Sequence, residues 1–188
     1  MANTTEQETD WVEKIGKPAA DSIVEMVAAL ELDYGRLEEL RDERDDFEIE
    51  NPSACDETVS ATAESIAAWA AENPDDAEEL KELEAAARPC GNECVDADQA
   101  RIMIEEDALS VQVRSGWVSP GEEMQAEDFE ILLATGGPAV RIRGELDANG
   151  EPSRAWLEVQ DWGKPWTQYF GIEQDTLLAY SNCFTYGA

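Results

Sequence analysis

Apolar residues recur at helical spacing through the first half of the chain and alternate with polar residues through the second half. The clearest helical series is Ile23, Val27, Leu30, Tyr34 and Leu37. Its alternating steps of four and three residues are typical of one apolar face of an α-helix. The series predicts one long helix over about residues 19–48, about 45 Å long at 1.5 Å per residue. Pro18 suits its first turn, and Gly35 is a candidate bend.

Three shorter helices are predicted after this one. The second covers about 57–72, and the third runs from Pro74 through Ala87, with Asn73 as its N-cap. A short fourth helix follows Asp96 and contains Ile102. The apolar face of the second helix is Val59, Ala63, Ile66, Ala67 and Ala70.

Alternation of apolar and polar residues in the second half predicts four antiparallel strands in a meander. Asn149-Gly150 between the last two is the sequence that best suits a type I′ hairpin turn. An apolar tail over 174–184 predicts a closing helix packed on the sheet. The apolar positions of the strands are Leu109, Val111 and Val113; Phe129, Ile131 and Leu133; Val140, Ile142 and Leu146; and Ala155, Leu157 and Val159.

Charge divides the chain near the same place. The 188 residues include 44 acids, 13 bases and no histidine, for a formal net charge of -31. Residues 1–107 hold 32 acids and 8 bases, whereas residues 108–188 hold 12 and 5. With 43% hydrophobic residues the chain still has the material for a folded core. We therefore predict an α+β protein, with an acidic region of three to four helices over 1–107 and a small antiparallel β module over 108–188.

This composition excludes several classes of function. Direct nucleic-acid binding needs clustered cations, and catalysis or metal binding by histidine needs a residue that the chain lacks. Only Cys90 and Cys94 are close in sequence, so the two close pairs of a four-cysteine zinc site are missing. We expect no enzyme activity, no catalytic residues, no metal and no cofactor. The N-terminus has neither a basic start nor an apolar core, and no long apolar run exists, so we expect a cytoplasmic protein without a membrane segment.

Acidic rows on the predicted helices are the main candidate site. Acids at helical spacings of three and four are neighbours at about 5–6 Å, which is comparable with the spacing of phosphates along a nucleic-acid strand. Such rows can imitate a phosphate backbone to a protein that binds nucleic acid. The candidate residues are Glu38, Glu39, Asp42, Glu43, Asp45, Asp46 and Glu50 on the first helix, and Asp75, Glu78, Glu79 and Glu82 on the third.

Other interpretations remain open for the same residues. The acids are also consistent with a solvated face, or with adaptation to high salt, which would spread acids evenly over the surface. A second candidate partner face is formed by Arg141, Arg143, Arg154 and Trp156 on the polar side of the sheet, unless these residues pair across strands with Glu145 and Glu158. The crowded tryptophans of the second half are more typical of a core. A monomer and a homodimer joined through Ile23, Val27, Leu30 and Leu37 both fit the pattern.

Several stretches together resemble a family of small acidic proteins carried by bacteriophages and other mobile elements, most of them uncharacterised. The resemblance covers about residues 20–188 and lies mainly in 22–30, 33–46, 109–117, 136–147 and 156–167. It implies a setting in a host cell rather than an activity. Acidic phage proteins that copy the charge of DNA to block restriction enzymes or CRISPR effectors are a recurring class. By that analogy we expect a host nucleic-acid-binding complex as the partner.

Overall fold

The structure is a computed structural model that describes residues 4–50, 58–122 and 124–187. The chain forms two compact units. We call residues 1–27 with 98–188 the sheet unit and residues 28–97 the helical unit. None of the helices in the described part of the chain has the length and apolar character needed to cross a membrane.

The sheet unit combines one antiparallel sheet with helices from both ends of the chain. Its strands follow one another in space in chain order, so the sheet is a simple meander. The strands are β3 (Ser110–Ser115), β4 (Ala126–Ala134), β5 (Ala139–Leu146), β6 (Pro152–Gln160) and β7 (Thr167–Tyr169). The helices are α1 (Thr4–Leu30, which continues into the helical unit), α5 (Ala97–Asp107) and α6 (Gln174–Ser181).

One face of this sheet is buried. Phe129 and Ile131 of β4 alternate with polar residues and are at most 1% exposed, and α6 packs against β6. The Tyr186 ring lies 4.7 Å from that of Phe129, centroid to centroid. The buried positions of the other strands are Val140, Ile142, Ala155, Leu157, Val159 and Tyr169.

Both flanking helices are tied to the sheet unit by specific contacts. A Cβ placed on Gly16 of α1 would lie 2.4 Å from the Tyr169 ring, so this position requires glycine. The Lys164 ammonium lies 4.3 Å from the centroid of the Trp11 ring. From α5, the Asp107 carboxylate accepts a hydrogen bond of 2.7 Å from the Tyr180 hydroxyl. These contacts explain why helix-forming residues at both ends of the acidic region belong with the sheet.

The helical unit contains three described α-helices and a two-stranded ladder. The helices are α2 (Tyr34–Asp45), α3 (Ala63–Glu72) and α4 (Pro74–Ala86), followed by a 3₁₀ turn (Pro89–Gly91), and β1 (Ile49–Glu50) pairs with β2 (Thr58–Val59). The buried core of the unit is formed by Leu37, Leu40, Trp69, Leu80 and Ala87.

The predicted long helix over 19–48 is wrong. The chain leaves the helix after Leu30 and begins α2 at Tyr34. The Asp33 carboxylate accepts a hydrogen bond from the Arg36 amide at 3.0 Å, and the Tyr34 hydroxyl donates to the Ala29 carbonyl at 3.0 Å. The break is therefore stabilised at both helix ends, two residues before Gly35.

Other helix boundaries also differ from the prediction. The first helix starts at Thr4, so Pro18 lies inside it rather than in its first turn. Val59 belongs to β2, and the second predicted helix begins only at Ala63, where Thr62 and Ser65 form a capping box. The start at Pro74 and the short helix after Asp96 are confirmed.

The α+β class and the closing helix are confirmed, whereas the predicted four strands are five in the described sheet, because β7 adds a three-residue strand. The hairpin at Asn149-Gly150 exists, but its turn is not type I′. Gly150 has φ +80°, whereas Asn149 is not among the described residues with positive φ. The Gly150 amide donates to the Asp147 carbonyl at 3.0 Å, as in a type I turn that ends in a left-handed glycine.

The two compact units do not follow the predicted division at residues 107 and 108. Residues 1–27 and 98–107 were assigned to the acidic region by composition, yet they belong to the sheet unit. Ile23, Met26 and Ile104 in these segments are at most 3% exposed. Burial of apolar residues, rather than charge, decides where these helices belong.

Candidate partner-binding surface

Helices α2 and α4 are joined by ion pairs along their contact. Arg36 Nη2 lies 3.0 Å from an Asp76 oxygen and 2.8 Å from a Glu79 oxygen. Further along both helices, Arg44 Nη1 lies 3.1 Å from a Glu84 oxygen. Because residue numbers rise together across the contact, the two helices run in the same direction.

The arginines of α2 all point toward acids at this contact or beside it. Arg41 Nε is 3.3 Å from the same Glu84 oxygen, and Arg41 Nη2 is 3.5 Å from Glu93. Arg44 also pairs with Asp45 at 2.7 Å. We call Arg36, Arg41 and Arg44 the seam arginines. Their closest partners are Asp76, Glu79 and Glu84 on α4 and Asp45 beside the contact, and the outward acids of both helices have few cations near them.

Two of the seam arginines lower the pKa of the carboxylates with which they pair. Hydrogen bonding from Arg36 holds the pKa of Glu79 below its usual range, and hydrogen bonding from Arg44 does the same for the pKa of Asp45. Glu79 and Asp45 are therefore ionised and already paired within the chain. A partner protein would have to displace an arginine to use either carboxylate.

Eight of the predicted phosphate-mimicking acids remain turned outward. They are exposed on α2, at its C-cap and on α4, and the cations near them are few: Arg36 Nη1 lies 3.8 Å from Glu39, and Lys81 lies on the outward side of α4. We call this set the acidic face. Its members are Glu38, Glu39, Asp42, Glu43 and Asp46 with Asp75, Glu78 and Glu82.

The acidic face has the dimensions of two short rows of charge. Glu39 to Asp46 and Asp75 to Glu82 each span seven residues, or about 10 Å at 1.5 Å per residue. Each row presents three or more outward carboxylates, on the scale of a few successive phosphates.

Three predicted members of the acidic rows lie elsewhere. Asp45 and Glu79 are only partly exposed and are paired with arginine, as described above. Glu50 is in β1 rather than on the helix, so the row predicted to continue to it ends at Asp46, and its side chain lies outside the described residues.

The polar face of the sheet carries the second predicted set. Arg141 of β5 is 15% exposed and lies between two acids, at 2.7 Å from Glu130 on β4 and 2.6 Å from Glu158 on β6. Its guanidinium also lies 4.0 Å from the centroid of the Trp166 ring. The cation is fully occupied by residues of its own chain. Trp166 was not predicted to take part in this arrangement.

Arg143, Arg154 and Trp156, the other members of this face, differ in how far they are paired within the chain. Arg154 pairs with Glu145 at 3.2 Å, and the Trp156 indole donates to Glu158 at 3.3 Å. Arg143 lies over Trp156 at 6.0 Å and makes no ion pair with a described residue. Cross-strand pairing therefore accounts for Arg141 and Arg154, and leaves Arg143 as the member with spare binding capacity.

Burial keeps three nucleophilic side chains protonated. Burial raises the pKa of the Cys94 and Cys183 thiols, and burial also raises the pKa of the Tyr180 hydroxyl, so all three stay protonated near neutral pH. In the described ranges, no three histidine, cysteine or acidic side chains are grouped closely enough to hold a metal ion.

Exposed aromatic and aliphatic residues are the feature that sequence reasoning missed. Trp117 and Trp162 are fully or largely exposed, contrary to the expectation of a tryptophan core. Val111 and Val113 are 38% and 50% exposed, although their alternation matches that of the buried strands. For Val111 and Val113 the sequence did contain a signal, because both lie in the first strand of the predicted meander and the first strand of a meander is an edge strand.

Comparison of the chain with protein-family models, with curated proteins and with solved structures finds no match. The candidate surfaces therefore rest on geometry and charge.

Proposed function

We propose that this protein is a non-enzymatic inhibitor, carried by a phage or mobile element, that blocks the nucleic-acid-binding groove of a host defence complex. The acidic face stands in for phosphates in this proposal. A CRISPR effector is the first candidate target, and a restriction enzyme is the second. Binding takes place in the host cytoplasm, without direct contact to nucleic acid or membrane and without a cofactor.

The observation that carries the proposal is the separation of cations from acids within the helical unit. All three seam arginines face acids that hold the unit together, whereas eight acids on the outer side of the same helices are left almost without cations. An ordinary solvated helix surface mixes charges of both signs to gain pairs at spacings of three and four. Outward like charges cost stability instead, so a binding role is a reason for their presence.

Uneven charge density supports the same proposal over adaptation to salt. Residues 28–97 hold 22 acids and 5 bases, a net charge of -17 in 70 residues. The remaining 118 residues hold 22 acids and 8 bases, a net charge of -14. Adaptation to high salt would favour a similar density on both units.

The test is a pull-down from a CRISPR-bearing host with this protein as bait. Elution by a salt gradient and mass spectrometry identify the partner, and purified partner is then titrated with DNA or RNA as competitor. The proposal expects a nucleic-acid-binding effector that nucleic acid displaces and that dissociates as salt shortens the Debye length from about 10 Å to about 3 Å. A partner that resists both salt and excess nucleic acid contradicts it.

Charge reversal with a matched control locates the contact. Glu39→Lys, Glu43→Lys and Asp46→Lys together are expected to slow association at least about tenfold, because steering by the acidic face is lost. Asp98→Lys, Glu105→Lys and Glu106→Lys on α5 change the net charge equally on exposed residues of the sheet unit. Equal losses in both variants would mean that only net charge matters, and unchanged affinity in the first would remove the acidic face from the contact.

An alternative function is a structural or regulatory interaction module that uses the Trp/Arg face of the sheet. The observation in its favour is Arg143, which lies beside Trp156 without an ion pair to a described residue. Arg143→Ala with Trp156→Ala would then abolish partner binding in a folded protein, while the charge reversal of the acidic face would not. Acidity would serve solubility or salt adaptation in that case.

A further inference from the structure

Strand β3 is an open edge of the five-stranded sheet. It pairs with β4 on one side, and no described strand pairs with its other side. The free side of an edge strand presents backbone amides and carbonyls that can pair with another strand. The opposite edge is only three residues long, in β7, so β3 is the longer unpaired template.

The core face of the sheet continues onto this edge without cover. Val111 and Val113 stand opposite Ile131 and Phe129 in register. Ile131 and Phe129 are at most 1% exposed, whereas Val111 and Val113 are 38% and 50% exposed. Leu109, just before the strand, is 58% exposed. An apolar row of this kind on an open edge is a typical site of strand addition.

Charge limits which partner fits this edge. Residues 110–121 contain no acid, and their one charged residue is Arg114, which pairs with Asp128 on β4. In a chain with 44 acids among 188 residues, such a run would on average hold about three. A second copy of this chain repels the first over most of its surface, and an edge segment without acids lowers that repulsion locally.

The sequence of β3 is also symmetric about Gln112. If two copies of the strand pair antiparallel around a two-fold axis at Gln112, Val111 of each lies opposite Val113 of the other. Arg114 then lies opposite Ser110, so no like charges oppose each other in the ladder. Val111 and Val113 of the two copies then lie side by side on the same face of the joined sheets, next to the buried face of each β4.

We propose that two copies of this protein associate through antiparallel pairing of their β3 strands, centred on Gln112. A single strand ladder is a small interface, so the dimer is weak and forms at high protein concentration. This inference does not depend on the proposed function, because the acidic face takes no part in it. It also differs from association through the helical stripe, since Ile23, Val27 and Leu37 are buried within their own chain.

Sedimentation equilibrium over a salt series is the first experiment. At low ionic strength the two net charges of -31 oppose association, and at about 1 M salt the Debye length falls to about 3 Å. The expected result is a monomer of 20.8 kDa at low salt and a dimer at high salt, at protein concentrations up to about 1 mM for a weak interface. This salt response is opposite to that expected for a phosphate mimic bound to its target. The experiment can therefore contradict the homodimer without bearing on the proposed function, and the pull-down can contradict the proposed function without bearing on the homodimer.

Two single substitutions at the axis test the register. Gln112→Glu and Gln112→Lys each place like charges opposite each other in the homodimer, and both are expected to weaken it by about two- to fivefold. The mixture of the two variants pairs opposite charges and is expected to form a heterodimer at least as stable as the original dimer. Residue 112 is exposed and lies on the polar face, so both variants should fold, which circular dichroism checks.

Val111→Lys with Val113→Lys is expected to abolish the dimer. Val24→Lys changes a valine of α1 that is 48% exposed and is not part of the ladder, so it should leave the dimer intact. A monomer at every salt concentration overturns the proposal and leaves the edge for an extended segment of another protein. A dimer that survives the double lysine variant, or a mixture of the two Gln112 variants that forms no heterodimer, overturns it by placing the contact elsewhere.

Discussion

The two units of this molecule handle an excess of acid in different ways. On the sheet, Arg141 lies between Glu130 and Glu158, so one cation holds three strands together. In the helical unit, Arg36 of α2 pairs with Asp76 and Glu79 of α4 and joins the two helices. In both units cations are placed where they organise structure. The units differ in what remains on the outer surface.

The sheet leaves little unpaired charge on its polar face, whereas α2 and α4 leave eight acids outward. A sheet face alternates residues from neighbouring strands, so acids and bases meet directly across the ladder. A helix pair has a side where the helices meet and a side that faces solvent. When a chain has few bases, arginines placed where the helices meet leave few for the solvent side. The difference shows that the acidic face depends on where the arginines are placed as much as on composition.

The largest expected effect tests whether the two units are energetically separate. Leu40 is 0% exposed in the helical core, and Leu40→Ala is expected to cost about 2–5 kcal/mol of unfolding free energy. Hydrogen exchange should show loss of protection in α2, α3 and α4 while the sheet stays protected. Ile142→Ala, at an equally buried position of β5, should give the reverse pattern. Uniform loss of protection in both variants would mean that the chain unfolds as one cooperative unit.

A smaller effect tests the pairing on the sheet. Arg141→Met leaves Glu130 and Glu158 close together without their cation, and is expected to cost about 1.5–3 kcal/mol, the range for hydrogen bonds to charged groups. Chemical denaturation measures this loss. The matched change Arg154→Met removes a pair in which both partners are well exposed, and should cost only about 0–1 kcal/mol. Equal costs would show that the enclosure of Arg141 adds nothing.

The corresponding change in the helical unit has a smaller effect that depends on pH. Arg36 and its partners are about a third or more exposed, so solvent screens the pair. Arg36 holds the pKa of Glu79 below its ordinary value of 4.5. The stability from this pair is therefore present above that value and is lost as the pH falls through the lowered pKa.

Arg36→Met should consequently lower the urea midpoint at neutral pH, by less than Arg141→Met does, and the difference from the original protein should disappear in acid. Glu79→Gln serves as the control. It removes one of the two α4 partners of Arg36, so it should give part of the loss at neutral pH, and that part should also disappear in acid. A loss that stays constant with pH would assign the effect of Arg36 to packing of its aliphatic part.

Local patterns in the sequence predicted the parts of this fold that local interactions determine. The strands β4, β5 and β6, the closing helix α6 and the start of α4 at Pro74 follow from alternation and helix-start signals within a few residues. The pairing of α1 and α5 with the sheet could not be predicted in this way, because Gly16 meets Tyr169 and Asp107 meets Tyr180 across long stretches of chain.

The candidate site was predictable to a similar extent. Helical spacing alone placed Glu39 and Glu43 on one side of α2, and both are exposed there. Spacing did not reveal that Asp45 pairs with Arg44 and Glu79 with Arg36, because it shows which residues share a helix face but not which residues of another helix they meet. Arg41 and Arg44 also extend the contact between α2 and α4 as ion pairs beyond the apolar residues. Likewise, alternation in β3 is the same as in β4, and only the edge position makes its valines exposed.

The smallest expected effect concerns the acidic face itself. Glu38 and Asp42 are exposed like charges four residues apart on α2, and neither makes an ion pair with a described residue. Glu38→Gln with Asp42→Asn should raise the stability of the helical unit by about 0.2–0.5 kcal/mol at low salt, and the gain should vanish at about 1 M salt. Thermal denaturation at both salt concentrations measures it, with Glu79→Gln as the opposite case, since that change removes a pair and should lower stability. A loss of stability from the double substitution would mean that the outward acids support the fold, and the contrast between an organising inner side and a binding outer side would no longer hold.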